Sequence, residues 1–174
     1  LPSPQARRSR AESQADAVVP SGVQPPAAVP RLVSDVHARF TPQASAFYTE
    51  AALRIQTAQG LSAGQFALAW DPATDDVTVN SFRILRGDQV IDVLAHQGFT
   101  VVRRETNLDR AMLDGLLTGV LQPEGLRVGD IITYSYTLTR HIPELGAHAE
   151  GLLADGMPLL PVGHYLRRAV WDAD

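Results

Sequence analysis

The feature that most constrains the fold is a run of strict polar and apolar alternation over residues 131–140, IITYSYTLTR. Two turn signals precede it, Pro123-Glu124-Gly125 and Gly129-Asp130. Because successive side chains of a β-strand point to opposite faces of the sheet, this pattern predicts a half-buried antiparallel strand. Its inward face is expected to carry Ile132, Tyr134, Tyr136 and Leu138, and its outward face Thr133, Ser135, Thr137 and Thr139.

Further strand patterns precede and follow this one, at intervals of roughly ten residues and with turn residues between them. They are the segments AFYTEAALRIQT, GQFALAWD, DDVTVNSFRILRGDQVIDVL, GFTVVRRE and the closing HYLRRAVWDAD. The third is a hairpin, with Gly87-Asp88 as its turn. About seven or eight short strands of this kind favour an all-β fold, an antiparallel β-sandwich, over βαβ units.

Within the first strand of the hairpin, the apolar residues shift from odd to even positions. Val77 and Val79 occupy odd positions, whereas Phe82 and Ile84, which continue the apolar face, occupy even ones. Either a β-bulge lies near Asn80-Ser81 or both faces of the strand are covered there, and we favour the bulge.

The segment NLDRAMLDGLLTGVLQ is ambiguous between helix and strand. Asn107 could cap a short helix, and Gly115 and Gly119 would discourage its continuation. The apolar residues 116–121 then suit a strand.

The chain divides by composition into a tail, residues 1–45, and a β-sandwich domain, residues 46–174. The first thirty residues are rich in Pro, Ala, Ser and Gln, so we expect extended or disordered chain there. Residues 31–40, RLVSDVHARF, have roughly helical apolar spacing. They could equally be a short extended segment lying on the domain.

Composition excludes several functional classes. The net charge of −4, and fifteen basic residues that are all Arg and scattered, argue against nucleic acid as a partner. The chain has no Cys, so thiolate nucleophiles, disulfides and Cys-based metal sites are excluded. No apolar run approaches the ~20 residues that a membrane-spanning helix needs.

Candidate metal and catalytic groups are present but are not arranged in a recognisable motif. The histidines are His37, His96, His141, His148 and His164, and Glu144 and Glu150 could add carboxylate ligands. Without close paired spacing they predict surface residues rather than a metal site. The carboxylate pairs are Asp75 with Asp76, Asp109 with Asp114, and Asp172 with Asp174. Adjacency in sequence does not make a general acid–base pair, so we assign no catalytic, cofactor-binding or metal-binding residue.

Three remaining features have ordinary structural interpretations. The tripeptide RGD at 86–88 matches an adhesion motif, but a hairpin turn explains it. The run GLSAG lacks the strand and helix that surround a nucleophilic serine elbow. The aromatic residues Trp70, Tyr134, Tyr136, Tyr165 and Trp171 could line a sugar- or peptide-binding face, but their alternation with polar residues predicts that most lie in the core.

Taken together, several segments resemble a known family. They are ALRIQTAQGLSAGQFALAWDPATDDVTVNSFRILRGDQVIDVL, FTVVRRETNLDRAMLDGLLTGVLQPEGLRVGDIITYSYTLTR and YLRRAVWDAD. In their order and spacing they are similar to the bacterial domain of unknown function 3857, which precedes a transglutaminase-like, papain-like domain in larger extracytoplasmic proteins. The resemblance runs from about residue 52 to the end, and its most specific part is the Gln122-Pro123, Val128-Gly129-Asp130 and Tyr-rich strand sequence.

The resemblance implies an antiparallel β-sandwich with an accessory, non-catalytic role in a periplasmic or other extracytoplasmic protein. The implied partner is a downstream transglutaminase-like domain of the same polypeptide, which would hold any catalytic Cys, His and Asp. Chains of the family continue beyond the last strand seen here, so we expect Asp174 to be a boundary within a longer protein. A missing edge strand would then favour self-association. The alternative function is a binding module for a peptide or a cell-envelope glycan.

Overall fold

A computed structural model describes residues 31–103, 115–141, 148 and 161–171. These residues form nine strands and one short 3-10 helix, Gln59–Gly64, which lies between the second and third strands. The strands are β1 (Arg31–Phe40), β2 (Ser45–Arg54), β3 (Phe66–Trp70), β4 (Asp75–Arg86), β5 (Gln89–Asp92), β6 (Thr100–Arg103), β7 (Leu117–Leu121), β8 (Ile131–Arg140) and β9 (Val162–Trp171). The predicted all-β class is therefore confirmed.

The strands form two sheets. The larger has six strands in the order β5-β4-β8-β2-β1-β9, and the smaller has three in the order β3-β7-β6. The described residues contain no helix with the length and apolar character that crossing a bilayer requires. The short helix that Asn107 could cap would lie within residues 104–114, which are outside the described residues. The strand predicted within residues 116–121 is present as β7.

The hairpin and its bulge are both where the sequence predicts them. β4 and β5 pair through a turn in which Gly87 has a φ of 56°, a left-handed conformation that favours glycine. The register of β4 against β8 shifts between Val79 and Ser81 of β4. Val79 lies opposite Tyr136 and Phe82 opposite Tyr134, so three residues of β4 span two of β8 and the apolar face continues.

The first strand is a correction to the predicted domain boundary at residue 45. β1 pairs antiparallel with β2 on one side and parallel with β9 on the other, so it lies inside the larger sheet. Its segment is extended rather than helical, and four apolar side chains of this strand are buried, namely Leu32, Val33, Ala38 and Phe40. The domain begins earlier than composition indicates because β1 lies between the neighbouring β2 and the distant β9, which is more than a hundred positions away in the chain.

The β1–β9 pair is also the exception to the predicted antiparallel arrangement. All other described strand pairs are antiparallel. The two parallel strands approach closely at Gly163, where an added Cβ would lie 2.8 Å from the Leu32 carbonyl oxygen. A side chain at this position would therefore push the edge strand away from β1.

The main core lies between the two sheets. Phe82, Ile84 and Ile132 from the larger sheet are each 1% exposed and meet Phe66 and Leu121 from the smaller sheet. Phe66 is the centre of an aromatic cluster, with ring centroids 5.9 Å from Phe82, 5.6 Å from Phe99, 5.0 Å from Tyr134 and 5.8 Å from Tyr136. All four contacts are edge-to-face, the geometry that aromatic quadrupoles favour.

The outward face of β8 is less exposed than alternation predicts. Ile132 is buried inward as expected, and Tyr134 and Tyr136 pack against the core. Thr133 and Ser135, however, are also buried, at 4% and 2% exposure. β8 is a central strand paired on both sides, so its short outward side chains are shielded by those of β2 and β4.

Two bidentate ion pairs hold β4 against β8, one near each end of the ladder. At one end Arg140 donates from Nε and Nη2 to the two carboxylate oxygens of Asp75, both at 2.8 Å. At the other Arg86 donates to Asp130 at 2.9 and 2.7 Å and also reaches the Gly125 carbonyl at 2.7 Å. Both carboxylates are buried, and hydrogen bonds from their arginines hold each pKa below its ordinary value.

The Asp75 pair predicts a specific loss of stability in acid. The lowered pKa of Asp75 means that its contribution is present above about pH 4, the pKa of an unfolded Asp, and is lost as the pH falls through the folded value. Asp75→Asn should lower the free energy of unfolding by about 1–3 kcal/mol at pH 7 and flatten its decline below pH 4. Urea unfolding at several pH values measures both effects. Asp76→Asn, which changes a neighbouring exposed carboxylate, should leave both unchanged, and equal effects of the two variants would contradict the assignment.

The second pair makes a prediction about the RGD tripeptide. Asp130→Asn should lower the urea midpoint because it weakens the hydrogen bonds with Arg86 and with the Arg127 amide. Asp88→Asn changes the exposed carboxylate of the RGD turn and should leave the midpoint within error. A larger effect at Asp88 than at Asp130 would show that the tripeptide is not held as described.

Candidate functional site

The histidines considered as candidate metal ligands do not form a cluster in the described part of the structure. His141 follows the end of β8, at the end of the sheet where β9 reaches Trp171, whereas His164 pairs with Val33 seven positions earlier on β9. At about 3.3 Å per residue the two histidines are separated by roughly 20 Å along the strands, and β2 and β1 also lie between β8 and β9. His96 and His148 are exposed, and Glu144 and Glu150 lie outside the described residues. In the part of the chain described, no group of three His, Asp or Glu side chains could hold a metal ion.

The carboxylate pairs are not brought together either. Asp75 and Asp76 begin β4 rather than standing in a turn, and they point to opposite faces of the strand. Asp75 is buried in its ion pair, while the Asp76 side chain is 85% exposed, with Oδ2 3.7 Å from His141 Nε2. Asp109, Asp114, Asp172 and Asp174 lie outside the described residues.

A polar lattice on the outer face of the larger sheet brings together ionisable groups that sequence reasoning missed. It consists of Asp35, His37, Tyr48, Glu50, Ser81 and Ser135. The strand register makes it: Asp35 of β1 lies opposite Glu50 of β2, and His37 lies opposite Tyr48. Ser135 of β8 continues the first row to Ser81 of β4. No local motif marks this set, because its members come from four strands, β1, β2, β4 and β8.

Hydrogen bonds and one close ion pair link the members of the polar lattice in pairs. The Tyr48 hydroxyl donates to Glu50 Oε2 at 3.0 Å, and the Ser81 and Ser135 hydroxyls are 2.9 Å apart. His37 Nε2 lies 3.2 Å from Asp35 Oδ1, an ion-pair distance without hydrogen-bond geometry. In the described part of the chain, the contacts of His37 are with Asp35 and with the Tyr48 ring, and no Ser or Thr hydroxyl hydrogen-bonds it.

Burial shifts the pKa values in this lattice. Burial raises the pKa of Glu50 above its ordinary value, against the hydrogen bond from Tyr48, which lowers it. Burial, and then the neighbouring Glu50 charge, raise the pKa of Tyr48 as well. Burial therefore destabilises the ionised form of Glu50, while the Tyr48 hydroxyl stays protonated and can donate a hydrogen bond.

A second feature is a pocket of about 150 Å³ between the sheets, at the β3 edge of the smaller one. We call it the inter-sheet pocket. Its lining comes from the 3-10 helix and from β2, β3, β4 and β8, and comprises Leu53, Ala63, Gly64, Gln65, Phe66, Ala67, Leu68, Phe82, Ile132, Tyr134 and Tyr136. No residue of the polar lattice lines it, so the structure does not join a histidine and a carboxylate in this pocket.

The run GLSAG forms part of this pocket rather than a nucleophile elbow. Its last residue, Gly64, is buried, and an added Cβ would overlap Leu126 Cδ2 and lie 2.9 Å from Ile132 Cδ1. Because Gly64 has no side chain, the 3-10 helix packs directly on the core at the wall of the pocket.

A third feature is the exposed edge formed by the last described strand, which we call the β9 surface. It carries Leu166 and Val170 on one face of the sheet and Trp171 on the other. Trp171 is 67% exposed and stacks on Phe40, with ring centroids 5.5 Å apart. Val170 and Leu166 are 40% and 36% exposed. The prediction that most aromatic residues lie in the core is therefore wrong for Trp171, because β9 is at the edge of its sheet.

Glu50 provides a test of the lattice electrostatics. With its folded pKa raised, the folded state binds more protons than the unfolded state, so stability falls as the pH rises from about 4.5 through the folded value. Glu50→Gln should therefore raise the urea midpoint at pH 7, and the difference from wild type should shrink towards pH 4. Glu124→Gln, at an exposed position, is the matched control and should change neither. A Glu50→Gln variant less stable than wild type at pH 7 would contradict the assignment.

One comparison with solved structures supports the fold. It is a crystal structure described as a "putative protease" from Parabacteroides distasonis ATCC 8503, with a TM-score of 0.53 and 15% sequence identity. The match covers 64% of this chain but 23% of the other, so this chain spans about a quarter of that protein. Among curated proteins, no sequence matches this chain.

A comparison with protein families identifies the domain. The family described as "Domain of Unknown Function with solved-structure structure (DUF3857)" matches residues 42–171, which include every described strand except β1. The matched region contains the Val128-Gly129-Asp130 sequence, whose carboxylate accepts the hydrogen bonds of Arg86. The sequence resemblance is thus confirmed, and the chain belongs to the DUF3857 family.

Proposed function

We propose that this domain is a non-catalytic accessory β-sandwich that packs on, orients or presents substrate to a transglutaminase-like domain of the same polypeptide. Two findings support this. The chain belongs to the DUF3857 family, and its fold occurs as about a quarter of a much longer chain in the Parabacteroides distasonis structure. A domain that is one part of a larger protein is expected to present a surface to its neighbours.

The β9 surface is the observation that carries the proposal. The two edges of the larger sheet differ: β5 has four residues, whereas β9 has ten. Short edge strands resist pairing with other chains, and long ones are usually covered. β9 carries the exposed Leu166 and Val170 on one face and the exposed Trp171 on the other, so apolar groups flank this edge on both sides. Exposed apolar groups beside an uncovered sheet edge mark interaction surfaces.

The chemistry of the described residues supports a non-catalytic role. The chain supplies no cysteine, and the Asp35–His37 pair has no hydroxyl nucleophile bonded to it among the described residues. We place the protein in the periplasm or another extracytoplasmic compartment, as the family resemblance implies. The net charge of −4 argues against nucleic acid as a partner.

The proposal predicts that the domain binds its downstream neighbour in trans through β9. When this chain and the region encoded after it are expressed as separate polypeptides, they should associate measurably by calorimetry. Val170→Glu should weaken that association at least about tenfold, because it places a charge in an apolar contact. Val90→Glu alters an equally apolar residue, 62% exposed beside the opposite sheet edge, and should leave binding unchanged.

Two outcomes would count against this role. Absence of association between the wild-type pieces would remove the proposed partner. Equal weakening by Val170→Glu and Val90→Glu would remove the proposed surface. Sedimentation of the isolated domain tests self-association through β9, and a stable dimer disrupted by Val170→Glu would assign the surface to a second copy instead.

The second candidate function is that of a binding module for a peptide or a cell-envelope glycan. The inter-sheet pocket favours it, because a small pocket with aromatic walls and tyrosine hydroxyls has the character of a ligand site. The two functions use different surfaces of the domain, so one does not exclude the other.

A further inference from the structure

We propose that the inter-sheet pocket binds a single phenol-sized aromatic ring, such as the side chain of a tyrosine in a peptide. This inference deepens the second candidate function by naming its ligand class. It is independent of the β9 surface, since none of Leu166, Val170 and Trp171 lines the pocket.

The first argument is size. The pocket has a volume of about 150 Å³. An apolar protein cavity of about this volume, lined by Leu, Ile and Phe, is known to bind benzene. This volume is therefore enough for a single six-membered ring, whereas a sugar ring with its shell of hydroxyl groups is larger.

The second argument is the geometry of the walls. Phe66, Phe82, Tyr134 and Tyr136 all line the pocket. The Phe66 ring already meets the other three edge-to-face, at centroid distances of 5.0 to 5.9 Å. A further aromatic ring can join such a cluster at the same spacings and gain edge-to-face contacts that an aliphatic group of equal volume lacks.

The third argument concerns two polar groups. Tyr134 and Tyr136 line the pocket, and neither hydroxyl is among the buried polar atoms without a hydrogen-bond partner in the described part of the chain. Each hydroxyl can both donate and accept a hydrogen bond, so it can bind water or a polar group of a ligand. Burial raises the pKa of Tyr134, which keeps that hydroxyl protonated. A ring bearing a hydroxyl group would take the place of such a water.

The fourth argument is the opening of the pocket. Ala63 lines it and is itself exposed, so a small side chain borders its contact with solvent. An entering ring would pass the methyl group of this alanine. A larger side chain at Ala63 would close this entrance without replacing a core residue.

The experiment is a set of nuclear magnetic resonance titrations of the isolated domain with p-cresol, toluene, 4-methylcyclohexanol and methyl β-glucoside. p-Cresol should give saturable shifts of the amides of Gly64, Phe66 and Tyr136 at the lowest concentrations. Toluene should bind more weakly by about three- to tenfold, the value of one hydrogen bond. Absence of saturable shifts with both ring compounds, or tighter binding of the cyclohexanol or the glucoside, would overturn the proposal.

Variants locate the site. Ala63→Leu should abolish the shifts, whereas Ala95→Leu, the same change at an exposed alanine that does not line the pocket, should preserve them. Urea midpoints of both variants establish that they fold. Unaltered binding in folded Ala63→Leu would overturn the assignment to this pocket.

The hydroxyl groups are tested by the double substitution Tyr134→Phe and Tyr136→Phe. It should remove the preference for p-cresol over toluene while leaving toluene binding unchanged. A preference that persists in this variant would exclude the proposed hydrogen bonds.

The source of the ring is distinguished by peptides. An acetylated and amidated Ala-Tyr-Ala peptide should bind in competition with p-cresol, and the Ala-Leu-Ala peptide should not. If p-cresol binds and the tyrosine peptide does not, the ring chemistry holds and the ligand is a free small molecule. Equal binding of the leucine peptide would overturn the aromatic class. Because these titrations need no downstream domain, their failure would leave the accessory role untouched.

Discussion

The ladder between β4 and β8 is the constraint on which the rest of the structure depends. A bidentate ion pair holds the two strands near each end of the ladder, Asp75 with Arg140 and Asp130 with Arg86. Bidentate contacts fix both distance and angle, so they set register as well as adding energy. With the register fixed at both ends, the extra residue of β4 has to be accommodated as the bulge between Val79 and Ser81.

That register determines what each face of the sheet presents. On the inner face it aligns Phe82 with Tyr134 and Val79 with Tyr136, and so builds the wall of the core and of the inter-sheet pocket. On the outer face it aligns Ser81 with Ser135, which extends the polar lattice to Glu50. A one-residue slip would exchange the two faces, so core, pocket and lattice all depend on the same pairing.

Much of this was predictable where the evidence is local. Alternation in residues 131–140 predicted the inward Ile132 and the packing of Tyr134 and Tyr136, and the change of parity predicted the bulge. The RGD turn was recognisable as a hairpin. The ion pair between Arg86 of this turn and Asp130 was not recognisable, because the two residues are 44 positions apart in the chain. The polar lattice and the pocket gave no sequence signal, since their residues are contributed by strands that meet only in the folded chain.

The sequence by itself determined the class of the fold and the inward side chains of β8, because period-two alternation and turn residues act over a few neighbouring positions. Only the tertiary structure decided that residues 31–40 lie inside the sheet, because this place depends on pairing with β9, more than a hundred positions later, as well as with the neighbouring β2. It also decided that Trp171 is exposed and Thr133 and Ser135 are buried. Alternation tells which residues share a face, but burial depends on whether a strand is central or at an edge, and that is set by the order of strands in the sheet.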